Sequence, residues 1–445
     1  MNAKKSLMMA GGDPGRFGLA LLVCLHIVTC CVSLVYIANF KAPEFFVPAL
    51  FHVFFDPARW YVAAIVVAAF ALVSSAFIIS RFSFGYFVGF YLYAMILGYL
   101  WINSFSDFQY DHRLAGLSAA ASAVAFLLPA LFISAPVRQI FTMTPGSFDR
   151  LLTGILILGV ATIAIGASYN FQLVSLDKMY EYRARIDSPA MVNYLVTIVS
   201  SALLPFAFAG LVASHAHWRA AAVPALLLLF YPITLNKLTL FTPLWLVFLL
   251  MLSRLFEARR AVILSLLAPA LAGLVLITVF GLRAAPYFYT VNFRMIAIPS
   301  VAMDVYNDFF SSHDLTHFCQ ISFLKPLMHC PYQDQLSVVI EKPYKLGFFN
   351  ASLFATEGIA SVGVLFAPVA AFVCGLVIAL GNRLSAGLPA GFILLSGAVL
   401  PQVLLNVPLT TVLLTHGAGI LFLLWYVTPR SLFEQTSVKR AAVTG

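Results

Sequence analysis

The densest set of titratable side chains lies between residues 283 and 317. It opens with Arg283 and Arg294, continues through Asp304 and Asp308, and ends in SSHDLTHF with His313, Asp314 and His317. Imidazoles and carboxylates are the usual acceptors for a hydroxyl proton, so His313, His317 and Asp304 are candidate bases. Guanidinium groups grip phosphate oxygens, and Arg283 and Arg294 suit a diphosphate whose charge grows as it departs. The competing reading is a solvated loop whose charges only keep it wet. HDLTH also has the i, i+4 histidine spacing of zinc peptidases, with Asp in place of Glu. The Asp is shorter and no third ligand follows at a standard interval, so no metal is assigned.

Four other features carry chemistry. YEYRARID places Arg183 and Arg185 just before an apolar run, where they suit phosphate, or else anchor the interface and pair with Asp177, Glu181 and Asp187. Lys237 sits among Leu235, Leu238 and Leu240 at the tip of a short apolar pair. An ionisable group at membrane depth is expensive and suggests an anionic head group, unless the chain snorkels to the interface. Glu357 opens a returning apolar segment, where a helix dipole favours a carboxylate and where it is also a candidate catalytic acid or base. Cys319 and Cys330 lie outside the apolar runs, whereas Cys24, Cys30, Cys31 and Cys374 lie within them. In an oxidising compartment the two outside are a candidate disulfide; unpaired thiols are the alternative.

These residues must be held by something, and composition says what. The chain has 445 residues, 62% of them hydrophobic and 10% charged. A soluble chain carries about 25% charged residues and could not cover itself with so few. Apolar runs fall near 17–38, 59–80, 84–103, 115–135, 151–168, 191–213, 219–234, 238–253, 261–282, 357–381, 387–406 and 408–427. The expected fold is all-α: one integral membrane domain over 1–445, a polytopic transmembrane helical bundle of about twelve spans. One large outer loop is expected at about 283–356. The first run is too long for a cleaved signal peptide and is read as a retained span.

With the N-terminus in the cytoplasm, fourteen Lys and Arg face four acids on the inner side. The outer side then carries twelve bases and thirteen acids. The positive-inside rule favours that orientation, with both termini cytoplasmic. The net charge of +9 does not indicate nucleic acid, because the bases form no stripe.

The pattern resembles the bacterial O-antigen-polymerase-like membrane proteins, the oligosaccharide repeat-unit polymerases. It is carried by YEYRAR, the broken pair with Lys237, Arg294 with the Met, Ala, Ile and Pro that follow, DVYNDFFSSHDLTHF and NASLFATEGIASVGVLFAP. The likeness covers mainly residues 178–380. It implies a glycosyltransferase of the bacterial inner membrane that needs neither metal nor cofactor. Its substrates would be undecaprenyl-diphosphate-linked glycans at the periplasmic face, with a chain-length regulator and a flippase as partners. Arg183, Arg185 and Arg294 match the positions that would hold the lipid diphosphate. Lys237 stands where related chains carry a basic residue, and Glu357 with Gly358 matches the pair before the returning helix. The base is not placed on one residue. An O-antigen ligase would share this layout. A polysaccharide transporter or flippase would suit the span number, but no internal symmetry is visible.

Overall fold

A computed structural model describes residues 14–40, 48–175, 178–183, 186, 188–321, 324–347 and 349–433. Among these residues the chain is all helix, with no strand. Among the described residues, nine helices are long and apolar enough to cross a membrane. They are α1 (Gly15–Ala38), α2 (Trp60–Ile79), α3 (Phe84–Asn103), α4 (His112–Phe132), α5 (Pro145–Tyr169), α6 (Ala190–Ala213), α7 (Lys237–Leu255), α8 (Ala258–Ser312) and α9 (Phe354–Ser385). The apolar run at 219–234 is a 13-residue helix, His217–Leu229, and a further short turn. Those at 387–406 and 408–427 are broken into short helices, including Ala390–Ser396 and Ala418–Val427.

Exposed apolar side chains mark the lipid faces. On α1, Phe17, Leu21, Leu25, Val28 and Val32 are all exposed and fall at steps of three or four residues. That is one stripe of a helix. In water such a stripe would be a liability; against hydrocarbon it needs no cover. The protein is therefore a membrane-embedded helical bundle.

The chain divides into two compact units. The first comprises residues 1–132, 259–377 and 404–409; the second comprises 133–258, 378–403 and 410–445.

In the first unit α3 is buried on nearly every side. Its glycines let neighbours close in. A Cβ at Gly98 would collide with Ser300 Oγ, and one at Gly89 would sit 2.8 Å from Leu127 Cδ2. Close approach through small residues is how helices pack where lipid supplies no hydrophobic drive.

α8 is the element that departs most from expectation. Fifty-five helical residues would reach about 80 Å, far beyond a bilayer core of about 30 Å. The helix breaks at Gly281, whose φ of 56° suits glycine. Beyond the break the chain folds back. Tyr287 donates its hydroxyl to Pro269 O at 3.2 Å, and Asn292 Nδ2 donates to Ala270 O at 2.8 Å. The π-helical stretch Tyr289–Ala297 follows. Ile298–Ser312 then crosses α3, where Ser300 Oγ donates to Met95 O at 3.1 Å. Residues 285–312, expected as the first part of an outer polar loop, are thus a helix with most of Ile298–Phe310 buried. Their modest hydropathy is explained by burial against protein rather than lipid.

The two ends of α3 differ in charge. Near its start, Arg259 Nη1 donates to Ile78 O and Ser80 O at 3.5 and 3.3 Å, and Arg260 Nη2 to Gly15 O at 3.4 Å. At its other end the loop 104–111 brings Asp107 and Asp111 to the same end as Asp304 and Asp308.

Candidate functional site

The site is built where α3 ends and α8 ends. Ser83 caps α3 by accepting from Tyr86 N, and the helix runs unbroken to Asn103. Asn103 Nδ2 then donates to His112 O at 2.9 Å, tying the two ends of the 104–111 loop together. His112 Nδ1 lies 2.9 Å from Asn103 Oδ1, and its Nε2 lies 3.0 Å from Phe108 O.

Asp304 lies beneath this loop and is fully buried. Ser106 Oγ donates to its Oδ2 at 2.8 Å, and the Tyr110 hydroxyl donates to its Oδ1. Tyr110 Oη also sits 2.9 Å from Asn103 Oδ1 and 3.3 Å from Tyr99 Oη. Asn307 Nδ2 donates to Tyr99 Oη at 3.1 Å. One helical turn after Asp304, Asp308 accepts from Gln109 N at 3.1 Å and from the Tyr344 hydroxyl at 2.6 Å. A buried carboxylate is tolerable only when donors surround it, and here two hydroxyls do. Burial, then the Tyr99 hydroxyl and the Asp304 charge, push Tyr110 well above the usual tyrosine range. It keeps its proton at neutral pH. Burial and the bond to Asp308 push Tyr344 the same way.

A cavity of about 680 Å³ opens beside this network. Gln109, Tyr110, Asp111, Asn307 and Ser311 are its polar lining residues. Leu114, Leu315, Ile359, Val362 and Phe366 are among its apolar side chains, and no Lys or Arg lines it. Gly363 is part of the lining, with a φ of 77° that interrupts α9. A side chain there would be strained and would press on Leu315.

The described residues among 313–335 are an irregular part of the expected loop. They are fastened at two places. Thr316 N donates to Ala360 O at 2.7 Å and His317 N to Ser361 O at 3.1 Å. Cys319 and Cys330 form a disulfide, with their Cα atoms 5.4 Å apart.

The expected site residues fall into three groups. Asp304 is in the network. His313 is exposed; its ring stacks on Phe309 at 4.0 Å, and Nδ1 lies 2.8 Å from Phe309 O. His317 is exposed with a left-handed φ of 45°. His313 stands at the C-cap of α8 and His317 in a turn, so HDLTH presents no helical i, i+4 face. Neither histidine lines the cavity. Glu357 is buried in the π-helical stretch Phe354–Ala360 and accepts from Thr356 Oγ1 at 2.8 Å. The cavity-lining Ile359 lies on the same stretch.

Among the cations of the first unit, Arg283 is exposed in the turn after Gly281, and Arg294 is half-buried in the π-helical stretch of α8. In the second unit, Arg183 ends the short helix Met179–Arg183 and is exposed. That helix is held on the turn before Lys237: Met179, Tyr231 and Leu235 form a buried cluster, with Val174, Tyr182 and Leu240 against it. The Tyr231 hydroxyl donates to Val174 O at 2.6 Å. Leu235 has a φ of 45°, and Asn236 caps the helix that begins with Lys237. The segments bearing Arg183 and Lys237, fifty-four residues apart, are therefore packed together. Arg185, with Asp177 and Asp187, lies outside the described residues.

Sequence reasoning passed over Ser106, Tyr110, His112, Asn307 and Tyr344. The signal lay in FSDFQYDH (105–112), a short linker dense in Asp, Tyr and His between two apolar runs. No family model matches this chain, and neither does any curated protein or solved structure.

Proposed function

We propose that this protein is a metal-independent membrane glycosyltransferase that polymerises undecaprenyl-diphosphate-linked oligosaccharide repeat units at the periplasmic face of the bacterial inner membrane. The reading begins with the motifs at 178–380. The observation that carries it further is the cavity in the first unit, lined by two hydroxyls, one carboxylate and two amides together with apolar side chains. That lining suits a sugar attached to a lipid. The absence of Lys and Arg from the lining makes it unsuited to a diphosphate, so the cavity is assigned to the acceptor glycan. The donor diphosphate is assigned to Arg283 and Arg294 of the first unit, whose charge offsets that of the leaving group; Arg183, Arg185 and Lys237 of the second unit are assigned, separately, to lipid-borne diphosphate.

The charge difference along α3 supports the orientation. The end bearing Arg259 and Arg260 faces the cytoplasm, and the end bearing Asp304 and His313 faces the periplasm. In this reading both termini are cytoplasmic, the chain makes about twelve crossings, and residues 313–353 form the core of the periplasmic loop. A chain-length regulator and a flippase are the expected partners.

Deleting the gene and examining the surface polysaccharide tests this. Single repeat units without long chains are expected. Full-length lipid-linked polymer that is never transferred would make the protein a ligase, and unchanged polysaccharide would remove both readings.

A further inference from the structure

The acceptor hydroxyl must lose a proton as it attacks, and four side chains were candidates to receive it. His313 and His317 do not line the cavity, and neither does Glu357. Asp304 does not line it either, being fully buried. Asp304, however, receives a hydrogen bond from a side chain that does. Tyr110 is half-buried, lines the cavity and donates its hydroxyl to Asp304 Oδ1. The cavity therefore meets the carboxylate through one phenol.

We propose that Tyr110 and Asp304 form a proton relay, in which Tyr110 touches the acceptor hydroxyl and Asp304 takes the proton from behind it. This rests on the glycosyltransferase reading. In the step, the acceptor oxygen forms a bond to the anomeric carbon of the donor. The bond from that carbon to the lipid diphosphate breaks, and its electron pair leaves on the diphosphate oxygen. The acceptor proton passes to Tyr110 Oη while the proton of Tyr110 passes to Asp304. Tyr110 ends neutral, Asp304 ends as a carboxylic acid, and the negative charge moves to the diphosphate. Water entering the vacated cavity takes the proton back through Tyr110.

The neighbours fit these roles. Ser106 Oγ holds Oδ2 at 2.8 Å, which leaves Oδ1 directed at Tyr110. Tyr99 Oη, at 3.3 Å, can donate to the phenol oxygen, and Asn103 Oδ1, at 2.9 Å, is the alternative acceptor for its proton. Tyr99 in turn is set by Asn307, which also lines the cavity. Tyr110 is the catalytic residue here; Asp304 acts through it.

The same cluster could be only a staple that fastens the 104–111 loop to α8, and the test separates the two. Purified full-length protein in nanodiscs is mixed with membrane vesicles that carry the native lipid-linked repeat units, and chain lengthening is timed. Tyr110→Phe keeps the ring, and Asp304→Asn keeps an acceptor for Tyr110. Each should slow lengthening by about 100-fold at saturating lipid-linked unit, with the half-saturating amount changed by no more than about threefold. The thermal unfolding midpoint of Asp304→Asn should stay near wild type, while that of Tyr110→Phe, which leaves Asp304 one donor, should fall but remain above the assay temperature. For the wild-type protein, the rate plotted against the fraction of D₂O should curve, because two protons move together. A straight plot overturns the relay. So do variants within about threefold of the wild-type rate, and so do variants that lose activity only because they unfold. If wild-type protein lengthens no chains, the glycosyltransferase reading falls, and the relay falls with it.

Discussion

Asp304 shows how a side chain acquires a role from its surroundings. In the sequence it is one carboxylate among several, spaced four residues from Asp308. In the fold it is sealed under a loop from almost two hundred residues earlier and met by two hydroxyls. His313 shows the reverse. It was an equal candidate for the base, yet it is exposed and stacked on Phe309. The basic residues carry the second residue-scale expectation. Arg294→Ala in the first unit and Arg183→Ala in the second should each abolish long polysaccharide chains, because each removes a charge-assisted contact to lipid-borne diphosphate. Immunoblotting should show protein at wild-type levels, and surface polysaccharide on gels should show only single repeat units. Wild-type ladders from both variants would remove the diphosphate assignment.

At the scale of elements, the crossing of α3 and α8 decides whether the site exists. Gly98 and Ser300 meet where neither can grow, and the Asp304 network begins one turn further along α8. Gly98→Val should therefore force the helices apart. Overpacking of this kind costs about 1–3 kcal/mol. A lower thermal midpoint in detergent is expected together with loss of polymer, since Asp304 would shift from Ser106 and Tyr110. A variant with normal stability and normal polymer would show that the crossing tolerates a side chain. The helix at 285–312 was not legible as such. Its polar residues read as part of an outer loop. Pro286 stands in the first turn of the helical stretch after the break, where a missing N–H costs little, and Pro299 directly follows the π-helical stretch. The Lys237 turn was legible, because Pro232 and Asn236 interrupt an apolar run there and Asn is a strong cap.

At the scale of the whole molecule, orientation is the claim most open to test. Single cysteines at His313 and Arg81, on a chain cleared of its other exposed thiols, should label differently with an impermeant thiol reagent. His313→Cys should react on spheroplasts with an intact inner membrane. Arg81→Cys should react only after permeabilisation. Labelling of Arg81→Cys in intact spheroplasts, with His313→Cys silent, would turn the protein over and put the proposed acceptor cavity in the cytosol.

Hydropathy alone determined that this chain lives in a bilayer, because the transfer of apolar residues depends on composition and run length, not on contacts. It also marked the segments rich in cations and the cysteines that lie outside the apolar runs, for the same local reason. Which carboxylate matters, and that Tyr110 stands between it and the cavity, depended on tertiary structure. Residues 110 and 304 are joined by a hydrogen bond that no periodicity encodes. Burial against protein hid helix 285–312, since a helix shielded from lipid has no need to look like one that faces it.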